Sequence, residues 1–293
     1  MWILITLAAT VFQIARTSEQ HRLRGRLGVA EAGYVRFAYG LPLALAATAV
    51  WMLGPGELPT PTLTFWVAVT LAGVLQIVAT MSLLQSFRVR DFAVGTIYSK
   101  TEVLFVGAAS AVVLGEPLSW LSWAGAVVCL AGVAWLAAGG SLREALAGGF
   151  DPGARYGVLA ALGFGLTAVG IRTASSSLDG TAVDRAMLTL AVMLSVQTMV
   201  QGSWLARSQT SSLAAVAGAW RQAWPVGLLS LSGSAAWALA MTLENAARVR
   251  TLGQVEIVMA FALGVLVHRE VHRWDEYVAA SVVIGGVTLL VLG

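Results

Sequence analysis

Long apolar runs recur ten times along this chain, and that recurrence limits what it can fold into more than any other feature. A helix that crosses the hydrocarbon layer needs about 20 mostly apolar residues. Such runs fall at roughly 1–16, 31–53, 63–86, 91–114, 119–139, 154–175, 182–206, 221–246, 250–267 and 274–292. The connections are short, which leaves no room for a water-soluble domain. In lipid the backbone must satisfy its own hydrogen bonds, so apolar runs of this length span as helices. Of the 293 residues 58% are hydrophobic and 11% charged, whereas soluble proteins carry about 25% charged residues. The expected fold is therefore all-α and polytopic, with ten transmembrane helices. The 31 glycines and 11 tryptophans fit it, since small residues let spanning helices approach closely and Trp favours the membrane–water interface. Met1 to Ala15 lacks the basic start of a secretion signal and reads as a spanning helix.

The two halves resemble each other. Glu102, Glu116, Trp120, Gly132 and Val133 recur as Glu256, Glu270, Trp274, Gly286 and Val287, each pair 154 residues apart, and Trp123 falls on Tyr277. Arg88-Val89-Arg90 is matched to Arg248-Val249-Arg250, and Arg16-Thr17 to Arg172-Thr173, with the spacing drifting as loops allow. This gives two five-helix repeats, 1–139 and 154–293, joined by a linker at 140–153. Five is odd, so consecutive repeats enter the membrane from opposite sides. Inverted repeats of this kind are a frequent design of secondary transporters, with the site near the bilayer midplane. They name a class of protein and not a substrate.

Charge gives an orientation. The net charge is +3, from 17 Arg and one Lys against 15 acids, and the basic residues flank apolar runs instead of forming a nucleic-acid footprint. Loops 1–2, 3–4, 5–6, 7–8 and 9–10 hold Arg16, Arg22, Arg24, Arg26, Arg88, Arg90, Arg143, Arg155, Arg207, Arg221, Arg269 and Arg273. The other loops hold Arg172, Arg185, Arg248 and Arg250. The positive-inside rule then puts both termini outside the cytoplasm. Cys129 is the only cysteine, within an apolar run, and reads as a small buried hydrophobe.

Ionisable residues inside a bilayer are expensive, and each is a functional candidate. Glu102 lies roughly 16 Å into the fourth helix and Glu256 some 9 Å into the ninth, at 1.5 Å per residue. Desolvation favours the neutral carboxyl, which suits proton binding and release. The structural alternative is an acid held by Lys100, Arg36 or the backbone. Lys100 and Glu102 are two apart on one helix and face different sides, but Lys100 can reach Glu256. Glu116 and Glu270 sit at helix ends and read as interfacial or capping residues. Gln76, Tyr98, Gln197, Trp237 and Gln254 lie deep in helices. An aromatic wall at Trp237 or Tyr98 with amides at Gln76 or Gln254 could form a substrate pocket; interhelical bonding and packing are the plain alternative. His268 to His272 carries two histidines four apart, but its Glu270 is misplaced for a zinc-protease helix. No metal, cofactor or enzymatic motif is expected.

The repeat segments Leu114-Gly115-Glu116-Pro117-Leu118, Trp123-Ala124-Gly125 and Ala131-Gly132-Val133, with Arg269-Glu270 and Gly285-Gly286-Val287 in the second half, resemble the EamA-type ten-helix carriers of the drug/metabolite transporter superfamily. Tyr34-Val35-Arg36-Phe37 is similar too, and the resemblance covers essentially the whole chain. It implies a multi-pass protein of the bacterial inner membrane, a monomer or homodimer. Its expected action is proton-coupled alternating access for a small metabolite or drug, often as efflux. The expected substrate is an amino-acid-like zwitterion or an organic cation. The candidate binding residues are Glu102, Glu256, Lys100, Arg36, Gln76, Tyr98, Trp237 and Gln254. Many relatives have proline near the positions of Glu102 and Glu256, so this chain departs from them there. Relatives also place both termini inside, opposite to the arginine count, which leaves import open. A scramblase or channel is the alternative.

Overall fold

The computed structural model describes residues 1–23, 27–89, 92–138, 143, 151–207, 213–266 and 273–293. Its helices are α1 (Trp2–Leu23), α2 (Val29–Ala38), α3 (Gly40–Leu53), α4 (Leu63–Val89), α5 (Phe92–Lys100), α6 (Glu102–Ala109) and α7 (Trp120–Ala137), then α8 (Pro152–Ser176), α9 (Ala182–Arg207), α10 (Leu213–Gly218), α11 (Trp220–Leu243), α12 (Ala246–Leu252), α13 (Val255–Leu266) and α14 (Trp274–Leu292). No strand occurs among the described residues. Among the described residues, eight helical stretches are long and apolar enough to cross a membrane. Their outer faces are apolar: Leu53, Leu63 and Val112 are at least 80% exposed, as a lipid-facing surface requires.

Several boundaries differ from the sequence reading. The first helix does not stop at 16 but continues to Leu23, because it contains no Gly or Pro and a fall in hydropathy does not by itself end a helix. Its polar end is tied down by Gln20, whose amide donates to the Ala32 carbonyl at 3.0 Å. The eighth helix ends at Leu243. Asn245 then caps α12, its Oδ1 accepting from the backbone N–H of Ala247 and Arg248. Arg248 and Arg250 thus lie within a helix and not in a loop. Arg172 lies within α8, where its Nη1 donates to the carbonyls of Met241 (2.9 Å) and Glu244 (2.8 Å) at the end of α11. Arg88 closes α4, so it is no counterpart of Arg248; α12 instead corresponds to α5, whose first residues Ala246 and Phe92 are 154 apart. Arg24, Arg26, Arg90, Arg269, Glu270, the His268–His272 segment and the linker, apart from Arg143 and 151–153, fall outside the described residues.

The chain divides into two compact units, 1–77 with 170–244 and 78–169 with 245–293. In the first, Leu23, Val35, Phe37, Leu194, Leu205 and Val226 belong to one buried apolar cluster. Here α8 crosses α4 closely, since a Cβ on Gly170 would meet Ala72 at 2.9 Å. Asp184 accepts from Trp51 Nε1 (2.8 Å), the Thr181 hydroxyl (2.6 Å) and the Thr181 N–H (2.9 Å), which caps α9 and fixes the chain after α3.

In the second unit α7 and α14 pack antiparallel through small residues. A Cβ on Gly132 would meet Val283 N at 2.7 Å and Ala279 O at 3.0 Å, and one on Gly125 would meet Gly286 O at 2.6 Å. Gly286 in turn lies against the Cys129 backbone. Gly132–Val283 and Cys129–Gly286 exchange under the 154-residue offset, as do Gly125–Gly286 and Ala279–Gly132. Trp120 and Trp274 begin the two helices and are 80% and 81% exposed. Antiparallel packing sets them at opposite ends, where each suits a membrane interface. Before α7, Ser110–Leu114 form a π-helical turn that ends at Gly115, φ 65°, a conformation strained for residues with a Cβ.

Candidate functional site

Glu102 and Glu256 of the second unit sit where two helices are interrupted. Between α5 and α6 the helix tightens: Thr101 N donates to Tyr98 O (3.3 Å) and Leu104 N to Thr101 O (3.0 Å), both three residues back. Between α12 and α13 Gln254 N donates to Thr251 O (3.0 Å) and Glu256 N to Gly253 O (3.0 Å), again three back. The local sequences favour this. Thr101 Oγ1 and Ser99 Oγ bond carbonyls three residues earlier at 2.6 and 2.9 Å, competing with the helical ladder, and Gly253 lowers helix propensity at the second break. Tight turns in mid-helix often mark functional hinges. Each break delivers an acid to the first turn of the following half-helix, Glu102 in α6 and Glu256 in α13, where the helix dipole favours negative charge.

The acids are met from the other helix. Arg250 Nη2 donates to Glu102 Oε2 at 2.6 Å, and Gln254 Nε2 donates to Glu102 Oε1 at 3.2 Å. The Glu102 side chain is only 4% exposed. Lys100 Nζ lies 3.4 Å from Glu256 Oε2, with these side chains 19% and 20% exposed. Lys100 and Gln254 are themselves 154 residues apart, so the contacts Lys100→Glu256 and Gln254→Glu102 exchange under that offset. Two carboxylates face two cations, and the group carries no net charge. The Gln254 carbonyl oxygen Oε1 is buried and accepts no protein hydrogen bond. Nearby, Glu116 holds Asn245, the cap of α12: Asn245 Nδ2 donates to its carbonyl at 3.1 Å and its carboxylate at 3.2 Å.

Of the residues singled out in the sequence, Lys100 thus meets Glu256 and Gln254 meets Glu102, with Tyr98 on α5 packed against Gly157 of α8. Arg36, Gln76 and Trp237 belong to the first unit. There Gln76 Oε1 accepts from Gln197 Nε2 at 2.5 Å, Trp237 Nε1 donates to Gln13 Oε1 at 3.1 Å, and the Arg36 guanidinium lies 4.9 Å from the Phe37 ring centroid. The first unit thus holds the aromatic Trp237 with the amide Gln76, and the second Tyr98 with Gln254. The first unit also holds a cavity of about 290 Å³ lined by Ile5, Ala8, Val183, Met187, Leu239 and other apolar residues, with no polar group to orient a solute. No group of three or more potential metal ligands occurs among the described residues.

Arg250 was missed by the sequence reading, which counted it as a loop charge. A signal existed: it lies four residues before Gln254, and so on the same helix face. Gln13 carried no such signal.

Known proteins were compared with this chain. The model of the EamA-like transporter family matches residues 1–138 and 151–292. No curated protein matches. A crystal structure described simply as that of a protein is similar over 99% of this chain and 96% of its own, with 17% sequence identity and a TM-score of 0.72. At that identity the likeness concerns the fold alone.

Proposed function

The chain belongs to the EamA-like transporter family, and on that premise we propose that it is a secondary carrier of a small zwitterion or organic cation, coupled to protons. In this reading ten spanning helices form two inverted repeats in the bacterial inner membrane, and the substrate site opens to each side in turn. The inverted arrangement is supported by the antiparallel α7–α14 contacts that exchange under the 154-residue offset. It is also supported by helix interruptions at equivalent places in the two repeats, since discontinuous helices commonly build transporter sites near the midplane.

The observation that carries the proposal is the neutral group of two acids and two bases at those interruptions. Charges so far from water persist when paired, and a cationic or zwitterionic solute can replace one internal partner with one of its own groups at little net electrostatic cost. An incoming proton can do the same by neutralising a carboxylate, which is how a shared acid couples the two fluxes.

The test is current and flux in proteoliposomes under an imposed pH gradient, with neutral amino acids, polyamines, quaternary amines and nucleosides as the panel. Saturable, gradient-driven uptake that disappears in Glu256→Gln and Glu102→Gln variants of native fold is expected. Flux that does not saturate, or movement of lipid across the bilayer, points instead to a channel or scramblase. Saturable uptake indifferent to both substitutions removes the acids from the mechanism.

A further inference from the structure

The two acids are repeat mates, yet their surroundings are unequal. Glu102 accepts from Arg250 at 2.6 Å and Gln254 at 3.2 Å, and is 4% exposed. Glu256 faces Lys100 at 3.4 Å and is 20% exposed. The inequality has a sequence origin. The residue 154 before Arg250 is Thr96, so where one repeat supplies a guanidinium the other has a hydroxyl. Thr96 is 8% exposed, and its Oγ1 has no hydrogen-bond partner among the described residues. It stands one turn before Lys100, on the same face of α5. A buried hydroxyl and a cation thus share one face of α5, and the cation meets Glu256.

We infer that the acids have divided the work: Glu102, fixed by Arg250 and Gln254, braces the two interrupted helices, while Lys100 and Glu256 separate to clamp a zwitterion. The substrate ammonium takes the place of Lys100 on Glu256, its carboxylate takes the place of Glu256 on Lys100, and Thr96 supplies a further hydrogen bond. Each charge keeps an opposite partner throughout, so opening the pair exposes no naked ion within the membrane. A simple organic cation satisfies Glu256 but strands Lys100, which makes the clamp selective. This inference rests on the carrier reading and narrows its substrate class to amino-acid-like zwitterions.

Glu256 is set among helices that carry other charges. Lys100 is the cation facing it from α5, and α6 contributes Glu102, which Arg250 of α12 holds. The helix α7 has no charged residue. In α14, which packs on α13 through the Phe261–Tyr277 ring pair, the charges Asp275 and Glu276 lie in the first turn.

The experiment is labelling of the purified full-length protein in vesicles with dicyclohexylcarbodiimide, a membrane-permeant reagent for protonated carboxyls, with each glutamate quantified by peptide mass spectrometry. Glu256 should be modified about tenfold or more over Glu102, the ratio that about 1.4 kcal/mol of extra pairing gives. An equimolar mixture of neutral L-amino acids should protect it, and choline should not. Arg250→Gln should raise modification of Glu102, a change that loss of fold would not confine to that residue. Equal labelling of both acids, or none of Glu256, overturns the division of work. Protection by choline, or by neither probe, overturns the zwitterion clamp. Because labelling needs no transport, a protected Glu256 in a protein that moves nothing would disprove the carrier and leave the clamp standing.

Discussion

Replacing Arg250 with Met tests whether the Glu102 network is held together as described. The substitution keeps an unbranched side chain but removes the guanidinium that bonds Glu102 at 2.6 Å. The carboxylate left behind is 4% exposed and retains the Gln254 amide at 3.2 Å. Breaking a buried pair from one side costs about 3–5 kcal/mol, and the remaining amide bond offsets about 1 kcal/mol of that, so a loss of about 3 kcal/mol is expected. Removing the charge from both partners, in Arg250→Met with Glu102→Gln, should recover most of it, to within about 1 kcal/mol of the native protein. Lys100→Met should cost about 1 kcal/mol or less, because that pair is longer and partly open. The assay is reversible unfolding in mixed micelles, followed by tryptophan fluorescence. A single-variant loss below about 1 kcal/mol, or a double variant no more stable than Arg250→Met, would refute the claim that this ion pair is buried and coupled.

Three further outcomes follow from other parts of the molecule. Gly132→Val and Gly286→Val each put methyl groups against the facing helix backbone, and both should destabilise by about 1–3 kcal/mol or more, measured by thermal unfolding; tolerance of either would contradict the close α7–α14 crossing. Asp184→Ala removes the acceptor of the Thr181 N–H at the start of α9 and of the Trp51 indole, and should cost about 2 kcal/mol, against about 1 kcal/mol for Trp51→Phe, in the same assay. With Arg172 and Arg250 engaged inside the protein, the loops opposite the Arg-rich face hold still fewer cations than counted. Thr60→Cys in a Cys129→Ala background should therefore react with an impermeant maleimide on intact cells, and Ser18→Cys only after permeabilisation; the reverse pattern would place the termini inside.

Much of the architecture is legible in one dimension. Length and apolarity of the runs require membrane helices, and the 154-residue recurrence of Glu102, Trp120 and Gly132 already points to a duplicated unit, because such features depend only on local composition and spacing. The helix ends are less legible. Hydropathy places the first boundary near Arg16, but α1 continues to Leu23 because a polar stretch without Gly or Pro can continue a helix. Asn245 is unremarkable in sequence until its Oδ1 is seen to cap α12.

What the sequence determined by itself is that the chain lives in a bilayer as helices; it also raised the expectation that its halves are related and that Glu102 and Glu256, costly to bury, carry function. What only the tertiary structure decided is which charge meets which. Arg250 reads as a loop cation until α12 forms around it and α6 presents Glu102 at 2.6 Å, and the matching acids become unequal because Thr96 stands where the other repeat has Arg250. Burial and pairing depend on residues about 150 positions away in the chain, and no local pattern encodes the distance at which they meet.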